Sequence, residues 1–181
     1  MDAPRFPPDL LARAARIRLI GFDVDGTLTD GGLSFDVDGR ETKRFHVQDG
    51  MGLVLLRHAG IEVALVSARR SEVTLARGRE LKVARLHVGE RSKLDCMRGI
   101  AAEMGIGMDQ AAFMGDDLPD LAALRDAGLA IAPANAHPWV ASAVHWITPR
   151  AGGAGAARDA CDLLLHAQGK VEAILAHGEH P

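Results

Sequence analysis

At 181 residues the chain is long enough for one well-buried core and too short for two typical domains, so a single domain over 1–181 is expected. With 48% hydrophobic and 25% charged residues, it reads as an ordinary globular protein. A net charge of −3, no tyrosine and 4% aromatics argue against a nucleic-acid surface, which needs a basic face or stacking rings, while leaving room for a small anionic substrate. No apolar run approaches the ~18 residues that cross a bilayer, and Met1–Pro8 lacks the apolar stretch of an export signal. Cys96 and Cys161 stand apart with no metal-ligand spacing, as in a reducing compartment, so a cytoplasmic protein is expected.

Pro8-Asp9 followed by Leu10, Leu11, Ala14 and Ile17 predicts a short first helix. An apolar strand then empties into Asp23-Val24-Asp25-Gly26-Thr27. Alternation along an extended segment would put Asp23 and Asp25 on one side, and two acids so close repel unless a cation or proton intervenes. Residues 33–47 alternate around Asp38-Gly39, a hairpin signal. Strand–helix units follow: helix 50–59 before strand 61–67, helix 71–81 before strand 84–88, helix 93–104 before strand 111–115, and helix 118–127 before strand 129–132. A short helix and strand 144–147 close the series. This alternation predicts an α/β fold, a three-layer Rossmann-like parallel sheet with helices on both faces and a hairpin flap after the first strand.

Ligands in such sheets sit beyond the carboxyl ends of the strands. Those ends offer Asp23 and Asp25, Ser67, the stretch reaching Lys93, and Asp116. Asp23 can attack phosphorus as a nucleophile, and Asp25 can shuttle the proton. Asp23, Asp25 and Asp116 are hard oxygen donors for Mg2+. Ser67 can bind a phosphoryl oxygen, and Lys93 can neutralise charge that grows during transfer. Singly, each residue has a plainer role. Ser67 could cap a helix, Lys93 could be a solvated helix-end lysine, and Asp117 and Asp120 could be caps or ligands. Asp36-Val37-Asp38-Gly39 repeats the letters of the first motif without a buried strand before it, and reads as a hairpin turn.

The ordered set of Asp23-x-Asp25-Gly-Thr-Leu-Thr, Ser67, Lys93 and Gly115-Asp116-Asp117 resembles the haloacid-dehalogenase-like phosphohydrolases over Ile17 to Ile147. The space between Asp30 and Asp49 holds only the hairpin, so the chain resembles the capless members, in which a neighbouring copy must exclude water. Three stretches narrow the likeness. Residues 39–53 look like the G-x-E-x-K-x-F-x-V-x-D-G-x-G-I segment of the 3-deoxy-D-manno-octulosonate 8-phosphate (Kdo 8-phosphate) phosphatases, Ser67-Ala68-Arg69 is similar to their T-G-R, and residues 151–163 match their glycine-rich tail.

That resemblance implies a Mg2+-dependent phosphoric monoester hydrolase acting on Kdo 8-phosphate in lipopolysaccharide synthesis. It also implies a homotetramer in which each hairpin, about 31–48, and each tail, about 149–181, complete a neighbour's site. Substrate contacts would come from Asp25, His46, Val47, Gln48, Asp49, Gly50, Arg69, Arg77, Lys93 and, from the tail, Arg158. His46 stands where relatives often carry Asn, Val54 where they place a basic residue, and Ala68 where they have Gly. Two other readings remain open: a phosphatase for a nine-carbon ulosonic acid 9-phosphate, and a receiver-like signalling module that stores a phospho-aspartate. Arg69 favours the eight-carbon substrate. A receiver gathers its paired acids before the phosphorylated Asp, whereas Asp25 here comes after Asp23.

Overall fold

A computed structural model describes residues 6–176. Residues 1–5, on which the expectation of a leaderless start partly rests, and 177–181, the end of the tail, lie outside them. Pro8 opens helix α1 (Pro8–Ala14), where its missing N–H is no loss, and Leu10 and Ala14 make the buried face. Strand β1 (Leu19–Phe22) is buried at every position, as a central parallel strand must be. The hairpin of β2 (Ser34–Phe35) and β3 (Glu41–Thr42) is shorter than the alternation suggested and pairs Ser34 with Thr42.

Strand–helix units then run α2 (Val47–His58), β4 (Glu62–Ser67), α3 (Glu72–Glu80), β5 (Arg85–Val88), α4 (Lys93–Glu103) and β6 (Ala111–Met114). A 3-10 turn (Leu118–Asp120) leads into α5 (Leu121–Asp126), followed by β7 (Leu129–Ala132), α6 (Pro138–Ala141) and β8 (Trp146–Ile147). Ser71 and Ser92 cap α3 and α4 by accepting the N–H of Thr74 and Asp95.

The six-stranded sheet is parallel, in the order β5-β4-β1-β6-β7-β8. Chain order reverses at β1, which sits between β4 and β6, and a crevice opens at such a switch point. Alternation sends Ile20, Val63 and Leu65 into one core with Leu53 and Leu56 of α2. Leu19, Ala64 and Val66 enter the other with Met97 and Ile100 of α4. Three layers result.

Two expectations change here. Helix α2 begins at Val47 rather than Gly50, because extended His46 is its N-cap and the first turn takes in Gln48 and Asp49. The glycine-rich tail is also largely helical, as α7 (Ala156–Ala167) and α8 (Val171–Ala176). The Asp49 carboxylate accepts the N–H of Gly155 (3.3 Å) and Arg158 (2.8 Å), capping α7 from inside the same chain. Ala157, Ala160, Leu163 and Leu164 are then buried in the core that α2 shares.

Candidate active site

β1 ends at Phe22, so Asp23 and Asp25 stand in the loop beyond it and strand alternation does not place them. A tight turn does. The Val24 carbonyl accepts the N–H groups of Thr27, Leu28 and Thr29, and the Asp23 N–H is tied to the Met114 carbonyl at the end of β6 (2.9 Å). Gly26 takes φ +88°, and a Cβ there would lie 2.1 Å from Asp116 Oδ2, so only glycine lets this turn close on the acid from β6. Gly152 packs as tightly: its Cβ would fall 1.8 Å from the Gly26 carbonyl. The glycine-rich tail therefore seals its own subunit's first-strand turn.

Lys93, first residue of α4 and almost wholly buried, puts Nζ 2.6 Å from Asp23 Oδ1 and 2.6 Å from Asp120 Oδ1. Asp120 Oδ2 accepts the N–H of Asp116 (3.0 Å) and Asp117 (3.2 Å), and the Thr27 hydroxyl donates to Asp116 Oδ1 (3.3 Å). Asp117 and Asp120 thus form a capping box for the turn before α5. Asp120 does more, since it also fixes Lys93. Buried Ser67, ending β4, accepts the Arg69 N–H at Oγ (3.2 Å), leaving its hydroxyl proton to donate.

Asp25 faces the hairpin. Its Oδ1 is ion-paired with Lys43 and lies 3.7 Å from Arg69 Nη1. Glu41 bonds Arg69 Nη2 (2.7 Å) and accepts the Ser71 hydroxyl proton. The base of the hairpin therefore docks on its own subunit's strand ends. From sequence, Glu41, Lys43 and Thr27 have no individual site role, and Asp120 is a cap or a ligand. The i, i+2 spacing of Glu41 and Lys43 on a hairpin arm was the available signal for the first two.

Among the remaining candidates, Val47 is exposed, Gln48 accepts from Arg150 (3.1 Å), and Asp49 is committed to the α7 amides. Asp49 also lines the cleft that follows, with its carboxylate oxygens taken up by those amides. His46, Gly50 and Arg77 line a cleft with Leu28, Phe45 and Leu65. The Arg77 guanidinium lies 5.8 Å over the Phe45 ring and bonds Glu80, and His46 Nδ1 is buried without a hydrogen-bond partner among the described residues. Arg158 sits within α7 and bonds Asp162 one turn on (2.7 Å).

Carboxylate oxygens of Asp23, Asp116 and Asp120 lie within 4.8 Å of one another. The expected trio had Asp25 in place of Asp120, and the Asp25 side chain faces Lys43 instead. Burial, then the charge of Asp120, pushes Asp23 up to about 8 against the pull of Lys93. Burial and Asp120 likewise push Asp116 up to about 6. Burial works to lower Lys93, but Asp23 and Asp120 more than offset it, so its pKa is raised and it stays an ammonium. Even so, the acids are short of positive charge. The buried Asp25 Oδ2 also lacks a hydrogen-bond partner among the described residues. A hard divalent cation fits this donor set. Asp120 is already committed, so Asp23 and Asp116 are the acids that could hold the ion.

Fold and strand-end acids together define a class, and comparison with known proteins names it. Residues 86–158 match the haloacid dehalogenase-like hydrolases, and the chain belongs to them. A 3-deoxy-D-manno-octulosonate 8-phosphate phosphatase of Yersinia pestis is 38% identical over 164 residues, covering 91% of this chain and 88% of that protein. The structure of such a phosphatase from Moraxella catarrhalis, in complex with magnesium, phosphate and KDO, is 37% identical with TM-score 0.92 and covers 94% of this chain and 98% of that one. A hypothetical protein of Xanthomonas campestris is 52% identical with TM-score 0.94, covering 96% and 95%. Within the class, the chain belongs to the family of 3-deoxy-D-manno-octulosonate 8-phosphate phosphatases. It is a phosphoric monoester hydrolase, which sets aside the receiver-like reading.

Proposed function

We propose that the enzyme hydrolyses Kdo 8-phosphate to Kdo and inorganic phosphate through a phosphorylated Asp23, in the cytoplasm, for lipopolysaccharide synthesis. The observation that carries this reading is the buried Lys93 ammonium, 2.6 Å from Asp23 at the mouth of the central strand. It holds the attacking carboxylate beside a cation that also meets the phosphoryl group.

A magnesium ion held by Asp23 and Asp116 would supply positive charge to the phosphoryl oxygens and the attacking carboxylate. In the first step an Asp23 oxygen bonds to phosphorus as the bond to the sugar oxygen breaks, and Asp25 gives its proton to the leaving alkoxide. In the second, Asp25 takes a proton from water, the water oxygen bonds to phosphorus, and the bond to Asp23 breaks, releasing phosphate. Lys93 and the Ser67 hydroxyl hold the phosphoryl oxygens through both steps. Lys43 and Arg69 flank Asp25 and suit the carboxylate of a sugar acid. Arg77 and His46 add polar groups to the cleft beside them.

Leu33, Phe35 and Val37 leave the hairpin exposed and apolar. That supports burial against another copy, in the homotetramer that the family resemblance implies.

A phosphate-release screen over sugar phosphates, with and without magnesium, tests the reading. Kdo 8-phosphate should give the highest kcat/KM and require the metal. Preference for a nine-carbon ulosonic acid 9-phosphate would move the substrate, and silence toward every sugar-acid phosphate would end the proposal. Light scattering on the eluted protein tests the tetramer.

A further inference from the structure

We propose that His87, Glu90 and Cys96 form a second cation site, for a zinc-class divalent ion, apart from the catalytic acids. One ligand atom from each lies within 4.8 Å of the other two. An imidazole nitrogen, a thiol sulfur and a carboxylate oxygen suit zinc and its neighbours, whereas magnesium takes oxygen alone. Three protein ligands leave a fourth position for water, and all three residues are half-buried, which gives an ion a way in.

The backbone already holds these groups in place. His87 lies in β5, in register with Val66 of β4. Alternation turns it away from Leu86, which packs on the first core, toward the α4 face, where Cys96 packs on the second. The Glu90 N–H is bonded to the Ser67 carbonyl (2.9 Å), and Cys96 sits in the turn that Ser92 caps, its own N–H on the Ser92 carbonyl (3.1 Å). Ligands mounted on a strand, an anchored loop and a capped helix lose little freedom on binding. An ion there ties β5 to α4 across residues 89–92, the segment that delivers Lys93.

In the free protein, burial and the Glu90 and Glu103 carboxylates hold the Cys96 thiol at about 11, so it carries its proton. Coordination forms the sulfur–metal bond as that proton leaves to solvent.

Cobalt(II) is the probe, titrated into the full chain with magnesium in excess to occupy the catalytic acids. The expected result is a thiolate-to-cobalt charge-transfer band saturating at one equivalent, which carboxylates cannot produce. Cys96→Ser should abolish the band, and Cys161→Ser, altering a fully buried thiol, should keep it. His87→Ala keeps the thiol but should weaken binding at least ~10-fold. The wild-type titration needs no variant to fold, and phosphatase activity checks each variant's integrity. No band in the wild type, a band that survives Cys96→Ser, or undiminished affinity in His87→Ala would each overturn the proposal. None of these results bears on hydrolysis of the sugar phosphate.

Discussion

Asp23-Val24-Asp25-Gly26 and Asp36-Val37-Asp38-Gly39 are spelled alike and do opposite things. Both put their glycine at positive φ, +88° and +77°. In the first copy, Val24 is wholly buried, its carbonyl gathers three amides, and Gly26 closes on Asp116. In the second, Val37 is wholly exposed, a Cβ on Gly39 would meet nothing, and Asp36 Oδ1 accepts the N–H of Asp38 and Arg40. The turn is common to both. What differs is the buried strand in front of the first copy, which removes water so that neighbouring charges act at full strength. Reactivity follows that desolvation, not the four letters.

The largest expected effect separates the copies directly. Asp23→Asn should lower kcat by ~10⁴-fold or more, since no nucleophile remains. Asp36→Asn, changing an exposed turn, should leave kcat within about twofold. Equal losses would mean that burial does not distinguish them. Removing magnesium with a chelator comes next, with a loss on the order of 10³-fold from several kcal/mol of lost charge stabilisation, restored on adding the metal back. Lys93→Ala leaves Asp23 and Asp120 buried without their cation and should cost about 3 kcal/mol in urea denaturation. Arg40→Ala breaks only the exposed pairs with Asp36 and Asp38 and should be silent.

The residues legible from sequence were those that end a strand or begin the following helix. Asp23, Ser67, Lys93 and Asp116 lie there because parallel topology sends every strand's carboxyl end to one edge, and periodicity reveals the strands. Harder to read were residues whose role depends on a distant partner. Asp120 looks like a cap until α4 brings Lys93 against it. Lys43 lies on a hairpin whose docking surface comes from the Asp25 loop and Arg69. The helix in the tail was hidden for the same reason: it is capped by Asp49, 106 residues before Gly155 in sequence. With that cap supplied inside the chain, α7 folds on α2 and takes Arg158 with it. Asp49→Ala should therefore cost about 1 kcal/mol of stability, the worth of a lost cap, while leaving KM for the substrate unchanged. A raised KM at unchanged stability would return Asp49 to the substrate.

The smallest effect extends the contrast to two histidines. His137 Nδ1 accepts the Trp139 N–H two residues away, an exposed local turn (3.3 Å). His145 Nδ1 accepts the Ala130 N–H of β7 (2.9 Å), and the His145 backbone N–H returns to the Ala130 carbonyl (3.0 Å), so this residue stands in for a strand partner. Burial, then the charge of Arg13, lowers the His145 pKa below its ordinary 6.5. Only the neutral ring can accept at Nδ1. Its contribution is therefore complete above the unfolded value near 6.5 and is lost as pH falls from there through the folded value. The ring is partly solvated, so the loss should stay under ~1 kcal/mol. Urea denaturation at pH 8 and pH 5 should show a smaller drop for His145→Gln, which keeps an acceptor that cannot titrate, than for the wild type. An equal drop in both would place the acid sensitivity elsewhere.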